Sequence, residues 1–136
     1  MFVKDKKSIG IVFGVFDGLH KGHEYFLNEA IKLCHELIIV LTQPEVVISL
    51  KGHKPRFSFN ERARSLHVFN GKIKVLSGDK KIGEWTIFRD LNFNPKSSII
   101  ILGYDQKDIA EELKRINISF VTLLPFYPEK YKSSLL

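Results

Sequence analysis

Residues 8–23 read SIGIVFGVFDGLHKGH, in which an apolar run leads directly into a glycine-rich turn. The run from Ser8 to Phe13 is typical of a buried strand, and an apparent helix begins near Gly22. Glycine lets a backbone approach a ligand closely, and a helix start offers unpaired N–H groups and a partial positive charge. His20 and His23 lie three residues apart, so both imidazoles can reach the same phosphate. The segment therefore predicts an anion-binding turn.

The two histidines also allow other interpretations. A histidine near a helix start is often a cap or a solvent contact, and paired histidines are a common beginning of a metal site. No third His, Cys or carboxylate stands at a helical spacing beside this pair, however. We therefore assign no protein metal site to His20 and His23.

The rest of the chain places this turn in an α/β fold. Short β-branched runs alternate with helical patterns, which favours a Rossmann-like, three-layer fold around a five-stranded parallel sheet. Ligands of such sheets bind beyond the carboxyl ends of the strands, where the strand order reverses. The predicted strands are Ser8 to Phe13, Leu37 to Thr42, Ile73 to Leu76, Ser98 to Leu102 and Ser119 to Leu123, and the predicted helices are Gly22 to Cys34, Ser58 to Phe69, a weaker one at Gly83 to Leu91, and Lys107 to Ile116.

Size and composition narrow the class of protein. With 136 residues the chain can bury one substantial core, so one domain over residues 1–136 is expected. No apolar run reaches the roughly 18 residues of a membrane span, and no signal peptide is visible, so a cytoplasmic protein is expected. The single cysteine, Cys34, excludes an intrachain disulfide and a cysteine zinc site and is predicted to be a core thiol. The net charge of +6 favours anionic partners, whereas the dispersed basic residues argue against nucleic acid.

The first turn carries a resemblance to a known family. Its pattern Gly14-x-Phe16-Asp17-x-x-His20-x-Gly22-His23 resembles the HxGH signature of the cytidylyltransferase-like nucleotidyltransferases, in its GxFDxxHxGH form. The resemblance implies transfer of a nucleoside monophosphate from ATP or CTP to a phosphorylated acceptor, with Mg2+ and release of pyrophosphate. It implies that His20 and His23 are catalytic at the α-phosphate, and that Asp17 holds the turn or the metal. The nucleotide-binding positions that it implies here are Gly14, Val15, Phe16, Asp17 and Gly22.

A basic stretch follows the second predicted strand. Residues 43–57, with two prolines and a glycine, are predicted to form a mobile functional loop. The part from Lys51 to Arg56 is similar to the family's basic loop, which implies a catalytic contact of Lys54 with phosphate and a further contact of Lys51.

A predicted helix start follows this loop, at Ser58. Ser58 and Glu61 fit a capping box, while Glu61-Arg62 is similar to the family's ER pair. For Arg62 the sequence leaves two roles open, pairing with Glu61 or contact with a substrate.

Two later segments extend the resemblance. Gly103-Tyr104-Asp105-Gln106 follows a predicted strand, where a nucleotide base and ribose would bind, although Gly103 and Asp105 could also form a plain turn that caps a helix. The GYDQ form resembles archaeal-type FAD synthases, whereas glycerol-3-phosphate cytidylyltransferases tend to carry a GDDW-like sequence.

The last residues resemble the start of the family's ISSTxxR motif. The resemblance implies that Ser133 and Ser134 contact the triphosphate. The basic residue expected after them has no position here, so Lys132 or a partner subunit would substitute, or phosphate binding would be weaker. Related enzymes are commonly homodimers, which leaves a shared site open.

Three functions are compatible with these features. The first is FMN adenylyltransferase, in which aromatic rings such as those of Trp85, Phe126 and Tyr127 could stack on the flavin, although aromatic residues of a protein this small are more often part of the core. The second is a cytidylyltransferase or adenylyltransferase acting on glycerol 3-phosphate or another small polyol or sugar phosphate. The third is a nucleotide- or flavin-binding module without turnover.

Overall fold

A computed structural model of the chain describes residues 6–69, 72–80, 84–90 and 93–124. Five strands in these ranges pair in parallel, in the order third, second, first, fourth, fifth. The arrangement confirms the predicted Rossmann-like α/β sheet. The strands are β1 (Lys7–Gly14), β2 (Cys34–Leu41), β3 (Ile73–Ser77), β4 (Ser98–Gly103) and β5 (Phe120–Leu123).

Helices cover both faces of this sheet and give the fold its three layers. Val12, Leu37 and Ile101 meet the helices on one face, whereas Ile11, Ile38 and Ile100 meet those on the other. This alternation of neighbouring residues is expected for strands buried on both sides. No helix in the described ranges is long and apolar enough to cross a membrane. The helices are α1 (Lys21–Ile31), α2 (Pro44–Lys51), α3 (Phe59–Ser65), α4 (Ile87–Asp90) and α5 (Lys107–Arg115), and a 3-10 turn (Leu66–Phe69) extends α3.

The order of the strands fixes where a ligand can bind. From β1 the chain adds β2 and β3 on one side, and then crosses to add β4 and β5 on the other. The reversal lies between β1 and β4, whose carboxyl ends carry residues 14–20 and residues 103–106. These two turns therefore flank the crevice in which doubly wound sheets bind their ligands.

The prediction of a loop over residues 43–57 is wrong for its first half. Residues Pro44–Lys51 form α2, with Pro44 in the first turn and Gly52 at the end in a left-handed conformation, φ 78°. Proline just inside a helix start and glycine just past its end are helix signals, although both also occur in loops. Burial of Val47 stabilises the helix against the rest of the fold.

The prediction that Cys34 belongs to the first helix is also wrong. Helix α1 ends at Ile31, and Cys34 is the first residue of β2, where it pairs in register with Lys7. Pairing with β1 outweighs the helical pattern around Cys34. The Cys34 sulfur can lie close to β1 because Gly10 has no side chain with which it would collide. The predicted core thiol is confirmed, and burial raises the pKa of Cys34.

Candidate active site

The turn of residues 14–20, which we call the β1 turn, is built on packing beneath it. Phe16 is buried although its backbone has a positive φ of 47°, and its ring covers Gly14 so closely that a Cβ there would lie 2.5 Å from a ring carbon. Thr42, just after β2, donates both its backbone N–H and its hydroxyl to the carbonyl of Gly14, each at 3.0 Å. Two positions predicted to bind nucleotide, Gly14 and Phe16, thus support the turn from below.

The two histidines of the HxGH pattern form the start of α1. His20 is the N-cap, and its Nδ1 accepts from the backbone N–H of Gly22 at 3.0 Å and of His23 at 3.4 Å. His23 Nδ1 accepts in return from the backbone N–H of His20 at 3.3 Å, which closes a capping box. The rings stack with centroids 3.7 Å apart. Gly22 leaves room for this, because a Cβ there would lie 2.9 Å from the His20 ring.

The cap determines which ring nitrogens carry protons. An imidazole nitrogen that accepts a hydrogen bond has no proton, so a neutral ring keeps its single proton on the other nitrogen. Because Nδ1 accepts in both His20 and His23, the neutral form of each ring carries its proton on Nε2. The helix start therefore offers two Nε2–H donors side by side.

The surroundings of His23 favour its neutral form. Partial burial lowers its pKa below the ordinary value, and the neighbouring His20 lowers it further. Asp105 and a hydrogen bond to the Gly18 backbone raise the pKa of His23 in opposition, whereas Lys51 lowers it, so charges from the β4 side and from α2 act on this ring. The edge of the Phe16 ring also faces it, with centroids 5.3 Å apart.

Asp17 fastens the β1 turn to the segment before α3. Its Oδ2 accepts from the backbone N–H of Arg56 at 2.7 Å, and its Oδ1 accepts from that of Phe57 at 2.9 Å. Desolvation raises the pKa of this carboxyl, but the two amide bonds and the charges of Arg56 and Arg62 lower it more, so the net pKa lies below the ordinary value. Of the two roles expected for Asp17, the structure has it holding the turn.

Arg62 is the second fastening, and the pairing with Glu61 that was left open for it is wrong. It is 1% exposed, and its guanidinium donates to the carbonyls of Phe57, Val15 and Thr42 at 3.1, 3.1 and 2.9 Å. Glu61 instead accepts from the Ser58 backbone N–H at 3.1 Å, which confirms the predicted capping box. Burial lowers the pKa of Arg62, and Asp17 opposes this shift. A residue that looks like a surface cation in the sequence therefore joins three segments from within.

The basic residues predicted to bind phosphate lie at the end of α2. Lys51 is its last residue and Lys54 follows in the next turn, and both are exposed. The ammonium groups of both are outside every ion pair formed among the described residues. We call residues 51–54 the basic tip. Its charges remain available to an anion above the β1 turn.

The turn after β4 is joined to β1 by Gln106, for which the sequence predicted no role. Gln106 accepts from the backbone N–H of Gly103 and donates to the carbonyl of Phe13, each at 2.8 Å. Tyr104 and Asp105 stand exposed on this turn. The sequence signal for this role was a glutamine three residues after the glycine that ends a strand. It did not identify the Phe13 carbonyl as the partner, because Phe13 is distant in sequence.

The half-buried Trp85 ring packs against Phe13 and Phe88, with centroids 5.5 and 5.7 Å away, at the edge of one core cluster. Phe126, Tyr127, Lys132, Ser133 and Ser134 lie outside the described residues.

A glycine-rich turn with two Nε2–H donors, at the reversal point of a doubly wound sheet, defines a phosphate-binding α/β protein. Residues 11–133 match the cytidylyltransferase-like family model. The chain therefore belongs to the cytidylyltransferase-like nucleotidyltransferase family.

Curated relatives lie within the same family. A protein of Thermococcus sibiricus named FAD synthase is 35% identical, over 97% of this chain and 88% of its own length. Another FAD synthase, from Pyrococcus horikoshii, is 38% identical over 82% of this chain and 72% of its own length.

Solved structures share the fold. A lipopolysaccharide core biosynthesis protein from Thermoplasma volcanium superimposes with a TM-score of 0.67 at 24% identity, over 90% of this chain and 99% of its own. A bifunctional NMN adenylyltransferase/ADP ribose pyrophosphatase from Francisella tularensis gives 0.62 at 16% identity, over 93% of this chain and 40% of its own. At these identities the likeness concerns the fold alone.

Proposed function

We propose that the chain is an FMN adenylyltransferase, which converts ATP and FMN to FAD and pyrophosphate. The main support for the substrate assignment is the similarity to FAD synthases along almost the whole chain, at 35% identity to the Thermococcus sibiricus protein. The GYDQ form of residues 103–106 points in the same direction.

The reaction needs positioning more than proton transfer. An oxygen of the FMN phosphate attacks the α-phosphorus of ATP, a new P–O bond forms, and the bond to the bridging oxygen breaks with its electrons leaving on pyrophosphate. A phosphate monoester with a second pKa of about 6 is largely ionised at neutral pH, so the nucleophile needs no strong base. The protein has to hold both phosphates in line and stabilise the negative charge that develops.

The capped histidine pair suits that task. The Nε2–H groups of His20 and His23 provide donors beside the positive end of the α1 dipole. Because their Nδ1 atoms are occupied by backbone N–H groups, the rings are oriented before substrate arrives. We assign them to the α-phosphate and the leaving pyrophosphate.

Other residues complete the proposed site. Lys54 and Lys51 would bind phosphate oxygens from the basic tip, and Gly103, Tyr104 and Asp105 would border the base and ribose. Asp105 influences the pKa of His23, which supports a single site spanning both turns.

Mg2+ is proposed to accompany the nucleotide. Within the described ranges no group of three His, Cys, Asp or Glu side chains could hold a metal ion, and both Asp17 oxygens accept backbone N–H groups. Such a donor set fits a Mg2+ carried on nucleotide phosphates and water, the usual mode for this ion. When bound, it would neutralise part of the charge on the β- and γ-phosphates.

The test is substrate-resolved pyrophosphate release. Purified protein would be given ATP or CTP with FMN or glycerol 3-phosphate in all four combinations, and FAD would be measured by chromatography. The proposal expects release with ATP and FMN together, with equal amounts of FAD. Release only with CTP and glycerol 3-phosphate would replace it with the polyol-phosphate function, and nucleotide binding without release from any pair would replace it with a binding module.

A further inference from the structure

Arg56, which the family resemblance assigns no role, is fixed against the β1 turn at its backbone. Its N–H is the one that Asp17 Oδ2 accepts at 2.7 Å, and the next N–H, of Phe57, is bound by the other carboxylate oxygen. Arg62 holds the Phe57 carbonyl from beneath. The residue before α3 therefore keeps a constant position relative to the turn that carries the histidines.

The Arg56 side chain lies on Gly18, two residues before His20. A Cβ on Gly18 would stand 2.8 Å from Arg56 Nη2 and 4.0 Å from its Cζ, so the guanidinium occupies space that only glycine leaves open. Gly18 also has a φ of 94°, which favours glycine independently. On its other side the Arg56 Cζ lies 5.1 Å from the centroid of the Phe57 ring, a cation–π contact.

The charge of Arg56 helps to lower the pKa of Asp17, but the N–H groups of its guanidinium have hydrogen-bonding capacity to spare. Arg56 is exposed, and in the part of the chain that the structure describes its guanidinium neither donates a hydrogen bond nor forms an ion pair. Asp17, the carboxylate nearest in sequence to Gly18, uses both oxygens for backbone N–H groups. A guanidinium has five N–H donors in a planar fork that matches a phosphate group.

We propose that Arg56 contacts phosphate oxygens of a substrate and is a further binding residue of the active site. The inference rests on the proposed nucleotidyl transfer. The guanidinium lies against Gly18, two residues before the N-cap His20 in the β1 turn, so it would meet a phosphate that the histidine donors also meet. That phosphate belongs either to the triphosphate or to the acceptor, and the two are separated by measuring each substrate.

The experiment compares Arg56→Gln and Arg56→Lys with Arg64→Gln, an exposed arginine of α3 that serves as the matched control. We expect Arg56→Gln to raise the KM of one substrate about tenfold, the value of one charged phosphate contact of about 1.4 kcal/mol. Arg56→Lys should recover part of that loss, because it restores charge without the fork. A higher KM for ATP assigns the contact to the donor, and a higher KM for FMN assigns it to the acceptor.

Calorimetric titration with ATP alone and with FMN alone gives a readout that does not need turnover. If the wild type forms no FAD, the proposed function fails, yet a weaker ATP or FMN affinity in Arg56→Gln than in Arg64→Gln still supports the contact. Unchanged KM and unchanged affinity for both ligands, with an unchanged unfolding midpoint, would overturn the role of Arg56.

Discussion

The β1 turn and the basic tip carry the groups that we propose to bind phosphate, but they are held very differently. The β1 turn is fixed by its own Asp17 and by Thr42 and Arg62 from outside, each of which bonds to backbone groups far away in sequence. The basic tip is held by the left-handed Gly52 at the end of α2 and by a local contact between His53 and the Lys54 carbonyl. Donors that must meet a developing charge need fixed geometry, whereas a long cationic side chain attracts phosphate from many positions.

Removing a donor from the fixed region should have the largest effect. We expect His23→Ala to lower kcat by about 10²–10³-fold, the usual loss for one donor at a developing charge. His35→Ala, which removes an exposed histidine on β2, is the control and should leave kcat unchanged. Steady-state FAD formation measures both. Equal kcat values in His23→Ala and His35→Ala would mean that the fixed β1 turn does not supply a donor on which catalysis depends.

Arg62 tests whether the fixed region depends on its buried fastening. Arg62→Met keeps most of the side-chain volume but leaves the carbonyls of Val15, Thr42 and Phe57 without their donor. We expect the free energy of unfolding to fall by about 1.5–3 kcal/mol, typical of hydrogen bonds made by a charged group. Urea denaturation measures this. The free energy of unfolding of Arg64→Met, on the exposed side of α3, should stay within about 0.5 kcal/mol of the wild-type value. A similar loss of stability in both variants would contradict the role of Arg62 as a fastening of the β1 turn.

Lys54 tests the other region. Lys54→Ala should raise the KM of a phosphate-bearing substrate about fivefold, near 1 kcal/mol, because one exposed cation is lost. The free energy of unfolding should change by less than about 0.5 kcal/mol, because the side chain is exposed. Lys74→Ala on β3 is the matched control. A fall in stability as large as that of Arg62→Met would mean that the basic tip is as fixed as the β1 turn.

The smallest expected effect is on proton binding at His23. Its folded pKa is lowered by burial and by His20, so the unfolded chain binds more protons between the folded pKa and the ordinary value of about 6.5. His23 should therefore lower the free energy of unfolding as pH falls below about 6.5. NMR titration of the imidazole should give a pKa below the ordinary value, and it should rise in His20→Ala. A His23 pKa at or above the ordinary value would contradict the described environment.

Local patterns predicted most of the scaffold and part of the site. The five strands, the capping box at Ser58 and the helix start at the histidines all follow from residues that are close in sequence. The predicted and observed strand bounds differ most at β2, which begins three residues earlier than predicted because this part of the chain pairs with β1.

The parts that could not be predicted depend on contacts between distant residues. Arg62 meets Val15, 47 residues away, and Gln106 meets Phe13, 93 residues away. Each looks like an ordinary polar residue of a helix start when only its neighbours are considered. The role of Gln106 appears once β1 and β4 lie side by side, and that of Arg62 once β1 and β2 do.

The histidine cap also bears on how this protein could change in evolution. Catalytic side chains commonly weaken a fold, so that replacing them often makes a protein more stable at the cost of activity. Here the Nδ1 atoms of His20 and His23 satisfy three N–H contacts at the start of α1, so losing either ring removes helix-start bonds as well as a donor. Replacing either histidine is therefore not expected to raise the stability of the fold. A descendant protein without catalytic activity would still be stabilised by both rings.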